Sequence, residues 1–217
     1  MEEVFNNKTV LKSIDYDQGV IIKNLITLHV PDGVIDCDIT YSKGNFYRKT
    51  GITEPIYKFD KYPQTIDSIE INDKIPLEDN TLNSIMFDPP FVIGGNKKVH
   101  DYDDGSCIIG KRFEQYKNFN ELIDSYKMWI GEIYRVLKDN GTFIIKCQDQ
   151  VSSGKQHLIH VFVINEAIKV GFYPKDMAIL LAKNRIISPK HSNQKHLRKY
   201  NSYFLVFKKE SFKNFYF

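Results

Sequence analysis

The chain has 217 residues, of which 42% are hydrophobic, 26% charged and 13% aromatic, with three cysteines and a formal charge of +3. This composition excludes disorder, collagen and disulfide scaffolds, and the length fits one core of ordinary size. No run approaches the ~18 consecutive apolar residues of a spanning helix, so no membrane partner is expected. The acidic start Met1-Glu2-Glu3 does not read as a secretory signal. Cys37, Cys107 and Cys147 are odd in number and far apart, as suits free thiols in a reducing cytoplasm.

Residues 19–30 read as a helix, with Val20, Ile21, Asn24 or Leu25, and Leu28 along one face. Pro31-Asp32-Gly33 breaks it, and residues 34–38 form a short apolar run ending in acids. Strand-like runs follow at 55–59, ending at Asp60, at 68–71, and at 82–87, ending in Asp88-Pro89-Pro90-Phe91. Residues 92–117 are rich in turn signals and read as a long loop. Leu122, Tyr126, Trp129, Ile130, Ile133, Val136 and Leu137 then recur at three- and four-residue steps, the clearest helix of the chain, with a stop at Asp139-Asn140-Gly141. A strand at 142–147, a polar stretch at 148–156, a helix at 157–170 ending at Gly171, and strands at 175–181 and 203–208 complete the pattern. No helical pattern separates the last two strands, which predicts an antiparallel pair, whereas the earlier strands are joined by crossovers. The expectation is an α/β fold with a mostly parallel sheet and one antiparallel strand at its end. It would form a single domain over 1–217, with 1–30 as an N-terminal helical extension.

Charge is unevenly placed. Residues 183–217 hold nine Lys or Arg and one acid, Glu210, a net +8, so the other 182 residues carry 21 bases and 26 acids, a net −5. A basic tail on an acidic body suits either a polyanionic partner or a solvated basic face.

Ligands bind open α/β sheets outside the carboxyl ends of the strands. Asp38, Asp60, Asp73 and Asp88 all fall there. Each alone is an ordinary turn or cap residue; four in succession point to a ligand. The segment from Asp38 through Thr40 and Tyr41 to Gly44 is a small-residue turn that a ligand can approach. Asp60, 22 residues beyond Asp38, has the spacing of an acid that holds ribose hydroxyls.

Asp88-Pro89-Pro90-Phe91 is the most specific signal. The exocyclic amine of a nucleobase is a poor nucleophile because its lone pair is delocalised into the ring. A carboxylate and a main-chain carbonyl can hold its two N–H bonds and localise that lone pair. The prolines present both acceptors rigidly, and Phe91 offers a stacking face worth ~1–3 kcal/mol. The alternative is a rigid strand-end turn with a core phenylalanine.

This motif resembles the catalytic motif of amino-methyltransferases that modify adenine N6 or, less often, cytosine N4. Residues 34–46 resemble their S-adenosylmethionine motif, and residues 132–145 resemble the helix-turn-strand that follows the catalytic strand in many class I methyltransferases. The likeness spans roughly residues 33–208 and implies a Rossmann-like, seven-stranded methyltransferase sheet flanked by helices, its last strand inserted antiparallel. It further implies S-adenosyl-L-methionine as cofactor, with Asp38, Thr40 and Gly44 at its methionine part, Asp60 at the ribose, Asp73 at the adenine ring and Tyr41 among the cofactor-binding residues. Asp88, Pro89, Pro90 and Phe91 would hold the target base. Ser42 stands where the family has a first glycine, the segments after the first two strands are too short for full helices, and Asn72 competes with Asp73.

With that motif in view, Lys183, Arg185, Lys190, Lys195, His196, Arg198 and Lys199 suit contact with nucleic-acid phosphates, and DNA is the expected partner. The small size leaves target recognition to the loops at 92–117 and 183–201 or to a partner subunit. RNA methylation and a non-catalytic binding protein of the same fold stand as alternatives. His157 and His160 have i, i+3 spacing without a completing acid, the run from Asp101 to Gly105 lacks a twelfth-position acid because Arg112 stands there, and no cysteine adjoins the Pro-Pro turn. None of these predicts a metal or a cysteine nucleophile. Residues 146–149 end a strand and are further candidates to face the substrate.

Overall fold

A sheet with both faces covered needs continuous apolar strands, because successive side chains point to opposite sides. The computed structural model, which describes residues 10–91, 93, 116–152, 154–183 and 195–210, shows that pattern in its central strands, at residues 85–87, 143–145 and 204–207. In chain order its elements are β1 (Ile14–Asp15), α1 (Gln18–His29), β2 (Cys37–Asp38), α2 (Asn45–Arg48), β3 (Tyr57–Asp60), β4 (Ile69–Glu70) and β5 (Leu82–Phe87). There follow α3 (Phe119–Val136), β6 (Leu137–Cys147), β7 (Gln150–Ser152), β8 (Lys155–His157), α4 (Ile159–Val170), β9 (Tyr173–Leu181) and β10 (Asn201–Lys208).

Eight strands form one sheet in the order β1-β9-β10-β6-β5-β2-β3-β4, and β7 and β8 form a separate hairpin. All pairings in the large sheet are parallel except those of β10, which is antiparallel to both β6 and β9. The antiparallel strand therefore lies inside the sheet rather than at its end. The chain winds outward from β2 through β3 to β4, then returns to lay β5 on the other side of β2. The winding reverses between β2 and β5.

On one face α3 and α4 bury Leu122, Tyr126, Ile130, Ile133, Ile159 and Val163 against Ile85, Phe87, Phe143, Ile145, Leu205 and Phe207. On the other, α1 lays Ile21, Ile22, Leu25 and Ile26 over Met86, Ile144, Phe204 and Val206. Alternate residues of β6 and β10 thus feed opposite cores. Two of the three long helices, α1 and α3, carry side-chain caps: the Asp17 carboxylate accepts the Gly19 N–H at 2.7 Å, and the Asn118 side chain accepts the Glu121 N–H at 3.0 Å. Gly171, in the left-handed region at φ 117°, ends α4 as expected.

Several sequence expectations shift. The α1 stripe is rotated: Val20 and Leu28 are exposed, and Ile22 and Ile26 take their place inside. Apolar residues lie on more than one side of α1, so their spacing alone does not orient it. Asp139-Asn140-Gly141 does not separate helix from strand; it forms a bulge within β6, where the register with β5 jumps from Leu82↔Leu137 to Ser84↔Thr142. The polar stretch at 148–156 contains the β7–β8 hairpin, and His157 ends β8 rather than starting α4. The sheet has an eighth strand, β1, two residues long and too short to carry a pattern. Among the described residues no helix is long and apolar enough to cross a membrane.

Candidate active site

The carboxyl ends of β2, β3, β4 and β5 open onto a cavity of about 400 Å³ beside the reversal point, a size suited to a cofactor or substrate. Its sheet-side wall is formed by Ile39, Thr40, Ser42, Asp60, Ile71, Asn72, Phe87, Asp88, Pro89 and Pro90. The opposite wall is α3 with Tyr116: Glu121, Asp124, Ser125, Met128 and Trp129. Four carboxylates (Asp60, Asp88, Glu121, Asp124) face this space with Lys61 as the one basic wall residue described. An acid-rich wall favours a cationic ligand.

Thr40 joins two strand ends. Its hydroxyl accepts the Asp88 N–H at 2.7 Å and donates to Asp38 Oδ1 at 3.2 Å, while its own N–H donates to the same oxygen at 2.8 Å. Tyr47 donates its hydroxyl to Asp38 Oδ2 at 2.9 Å. Asp38 is 1% exposed and off the cavity wall. Burial pushes its carboxyl up to about 7, against the hydrogen bonds from Thr40 and Tyr47. The expected contact of Asp38 with a cofactor is therefore corrected: its carboxylate is an internal hub that shapes the turn.

Tyr41 and Gly44 also leave the expected set. The Tyr41 ring is 3% exposed and stacks on Tyr47 at 5.9 Å. Gly44 has φ 67°, and a Cβ there would lie 2.5 Å from the Tyr41 hydroxyl oxygen. Gly44 serves this close packing and not a ligand's approach. Gly44→Ala is expected to destabilise the protein by about 1–2 kcal/mol, measured by urea unfolding; an unchanged midpoint would refute the steric account.

Ser42, the residue in the family's glycine position, takes a left-handed backbone with φ 51° and lines the cavity. Its N–H donates to Asp60 Oδ2 at 2.8 Å, and the Tyr62 N–H donates to Asp60 Oδ1 at 2.7 Å. Burial raises the Asp60 carboxyl from its ordinary range, and these two N–H bonds oppose the rise. At the end of β4 the wall residue is Asn72, which corrects the expectation for Asp73: that residue is exposed and off the wall. A strand of two residues has no periodicity with which to align its end, so spacing cannot choose between the neighbours.

Asp88 follows β5 directly. Its Oδ2 lies 3.4 Å from Lys146 Nζ, and among the described residues its Oδ1 is buried without a hydrogen-bond partner. Burial raises its carboxyl above the ordinary range, and the Lys146 ammonium pulls it back. Pro89 and Pro90 continue the wall, and Phe91 lies with its ring centroid 5.8 Å from Lys146 Nζ.

Of the basic segment, Arg185 and Lys190 lie outside the described residues, as does most of the 92–117 loop, including Cys107 and the run from Asp101 to Arg112. Lys183 and Lys195 are exposed, and His196, Arg198 and Lys199 are partly buried. His196 Nε2 lies 3.0 Å from the Gly154 carbonyl oxygen, which holds the segment against the β7–β8 turn. Since β9 runs parallel to β6, the segment leaves the sheet at the same edge as the cavity. His157 and His160 part company: His157 stacks on Phe119 at 3.9 Å, and His160 Nδ1 lies 2.7 Å from Asp149 Oδ1. Cys37 and Cys147 are buried free thiols whose burial pushes them well up.

The α3 wall was absent from the sequence expectations. Its signal was there as spacing: Glu121, Asp124, Ser125 and Met128 recur at helical steps beside the apolar stripe.

The winding reversal, the antiparallel strand inserted inside the sheet and a cavity at the strand ends together define the Rossmann-like methyltransferase architecture. In agreement, a chain in the complex between the Haloferax volcanii Trm112 methyltransferase activator and its candidate methyltransferase superposes with a TM-score of 0.50 at 13% identity, covering 84% of this chain and 85% of that one. Residues 82–217 match the family described as DNA methylase, of the N6/N4 type. The chain belongs to that family, whose members depend on S-adenosylmethionine.

Two further solved structures are similar. One is a candidate DNA modification methylase of Thermus thermophilus complexed with S-adenosyl-L-methionine, at TM-score 0.42 and 15% identity, covering 65% of this chain and 53% of that one. The other is the PvuII cytosine-N4-specific DNA methyltransferase, at TM-score 0.44 and 17% identity, covering 62% and 44%. The chain thus spans about half the length of the solved DNA methylases it matches. No curated protein matches it by sequence.

Proposed function

We propose that this chain transfers a methyl group from S-adenosylmethionine to the exocyclic amine of a nucleobase, adenine N6 in DNA. The observation that carries the reading is Asp88-Pro89-Pro90 on the cavity wall, with one buried carboxylate oxygen lacking a hydrogen-bond partner among the described residues. Such an atom is costly unless a donor completes it. An amine N–H does so, and the Pro89 carbonyl is the second acceptor of the motif.

The wall fits the cofactor in charge and donor type. Asp60 retains acceptor capacity beyond the two N–H bonds it takes and would hold ribose hydroxyls, with Asn72 and Ile71 beside the adenine and Thr40 and Ser42 toward the methionine part. When bound, the cofactor supplies an electrophilic methyl group on a cationic sulfonium. The chain's own task is to orient the amine, exclude water with Phe87, Trp129 and Met128, and accept its two N–H bonds. In this reading the basic segment at 183–201 contacts phosphates, and a base within a duplex is flipped out. Target recognition falls to that segment, to residues 92–117, or to a partner subunit.

The test is transfer from methyl-labelled cofactor to separate DNA, RNA and tRNA pools, followed by nucleoside analysis. Label is expected on N6-methyldeoxyadenosine. Label on N4-methyldeoxycytidine would correct the base, label confined to RNA would correct the polymer, and no transfer to any pool would overturn the reading.

A further inference from the structure

Lys146 is a lysine almost out of water: its side chain is 12% exposed, and Phe46, Phe91 and Phe204 stand around its ammonium with ring centroids at 5.4, 5.8 and 5.7 Å. It lies on the α1 side of the sheet, because β6 alternates and its neighbours Ile145 and Cys147 belong to the α3 side. The ammonium donates to Gln18 Oε1 at 2.8 Å and reaches Asp88 Oδ2 at 3.4 Å. A buried cation is costly without a partner, and an ion pair in such surroundings is weak support for stability. Its place behind the motif calls for another reason.

We propose that Lys146 is a positioning residue that holds Asp88 as a carboxylate, engaging Oδ2 from behind the strand so that Oδ1 remains the acceptor for the amine. This rests on the reading of Asp88 given above. A protonated carboxyl would present a donor where an acceptor is needed, and much around Asp88 favours protonation. Burial raises it, and the neighbouring Asp38 from β2, itself pushed up by burial, brings no positive charge. Tyr126 from α3 and Cys147 from β6 are buried, pushed well up and bring no positive charge. Among the described residues, Lys146 is the one cationic side chain in contact with Asp88.

Lys146→Met keeps the size and removes the charge, Lys146→Gln keeps polar contact with Gln18 and Asp88 without charge, and Lys146→Arg keeps the charge. Two readouts are compared: the pH profile of methyl transfer, and the titration of the Asp88 carboxyl by carbon NMR in the cofactor-free protein. In the neutral variants the acid limb and the NMR titration are expected to move together to higher pH. The rate then falls about tenfold or more near pH 6 and largely recovers near pH 9. Lys146→Arg is expected to keep the wild-type limb. A folded neutral variant whose limb and titration both stay in place overturns the role of Lys146 while leaving Asp88 as amine acceptor. A wild-type protein that transfers no methyl group, or an active Asp88→Ala, overturns the reading of Asp88 and this role with it.

Discussion

Asp88→Ala is expected to slow methyl transfer by about 10²–10³-fold, the typical loss when one preorganised group facing the developing charge is removed. Cofactor affinity should change far less, since Asp60, Asn72 and Ser42 are untouched on the same wall. Asp88→Asn is the informative companion. Its carbonyl can still accept an N–H, but it carries no charge and adds a donor that competes for the Pro89 carbonyl or repels the amine. An intermediate loss is therefore expected. Calorimetry with the cofactor separates the two effects: a collapse of binding equal to the loss of rate would mean that Asp88 holds the cofactor, not the amine. The backbone bond from Asp88 N–H to the Thr40 hydroxyl does not depend on the side chain, so the turn itself should persist in both variants.

Thermal stability is expected to fall as pH rises from about 4 to about 8, and Asp38→Asn should flatten that fall. The Asp38 carboxyl stands at about 7 in the folded protein against 3.8 in the unfolded chain. Below the unfolded value both states hold the proton and the contribution is fully present. Between the two values only the folded state holds it, so every rise in pH favours unfolding, and the contribution is gone once pH passes the folded value. The size is on the order of 4 kcal/mol. Asp60 and Asp88 are raised by burial and act in the same direction. Glu54, Asp67 and Glu132 are lowered by Lys58 or Arg135 and act oppositely, but their window lies below the ordinary carboxylate values. Above about pH 5 the raised groups decide the slope. Asparagine preserves the acceptor for the Thr40 N–H and has nothing to titrate. The measurement is the melting temperature of both proteins across that range, and parallel curves would rule Asp38 out.

Residues 82–87 and the long helix were legible because each carries a strong local signal: the apolar Ile85-Met86-Phe87 ending in Asp-Pro-Pro for β5 and six buried positions at helical steps for α3. The position of the Asp-Pro-Pro-Phe motif was legible because two prolines after an apolar run mark a strand end, and the structure places Asp88, Pro89 and Pro90 on the cavity wall. The turn after β2 was legible as a segment beside the cavity, but the direction of its side chains was not. From Asp38 to Ser42 the side chains divide between interior and cavity: Asp38 and Tyr41 turn inward, while Ile39, Thr40 and Ser42 form the wall. Adjacency in sequence cannot separate these sets, and an acid looks like a ligand contact until its hydrogen bonds are known. Lys146 was visible only as a strand-end candidate, since its meaning depends on β6 lying beside β5.

The place of β10 bears on how the chain folds. It lies between β9 and β6, and β9 in turn carries β1, pairing Ile14 with Ile179. Until residues 201–208 are made, β6 has a bare apolar edge through Phe143, Ile144 and Ile145, and the β1–β9 ribbon has no strand to join it to the rest of the sheet. Among the described elements, β10 is thus the keystone that locks β1 and β9 to the middle of the sheet. Bare edges of this kind invite pairing with other chains. Nascent chains stalled before β10 should accordingly associate with one another or occupy a chaperone, and the sheet should form in a single late step rather than strand by strand.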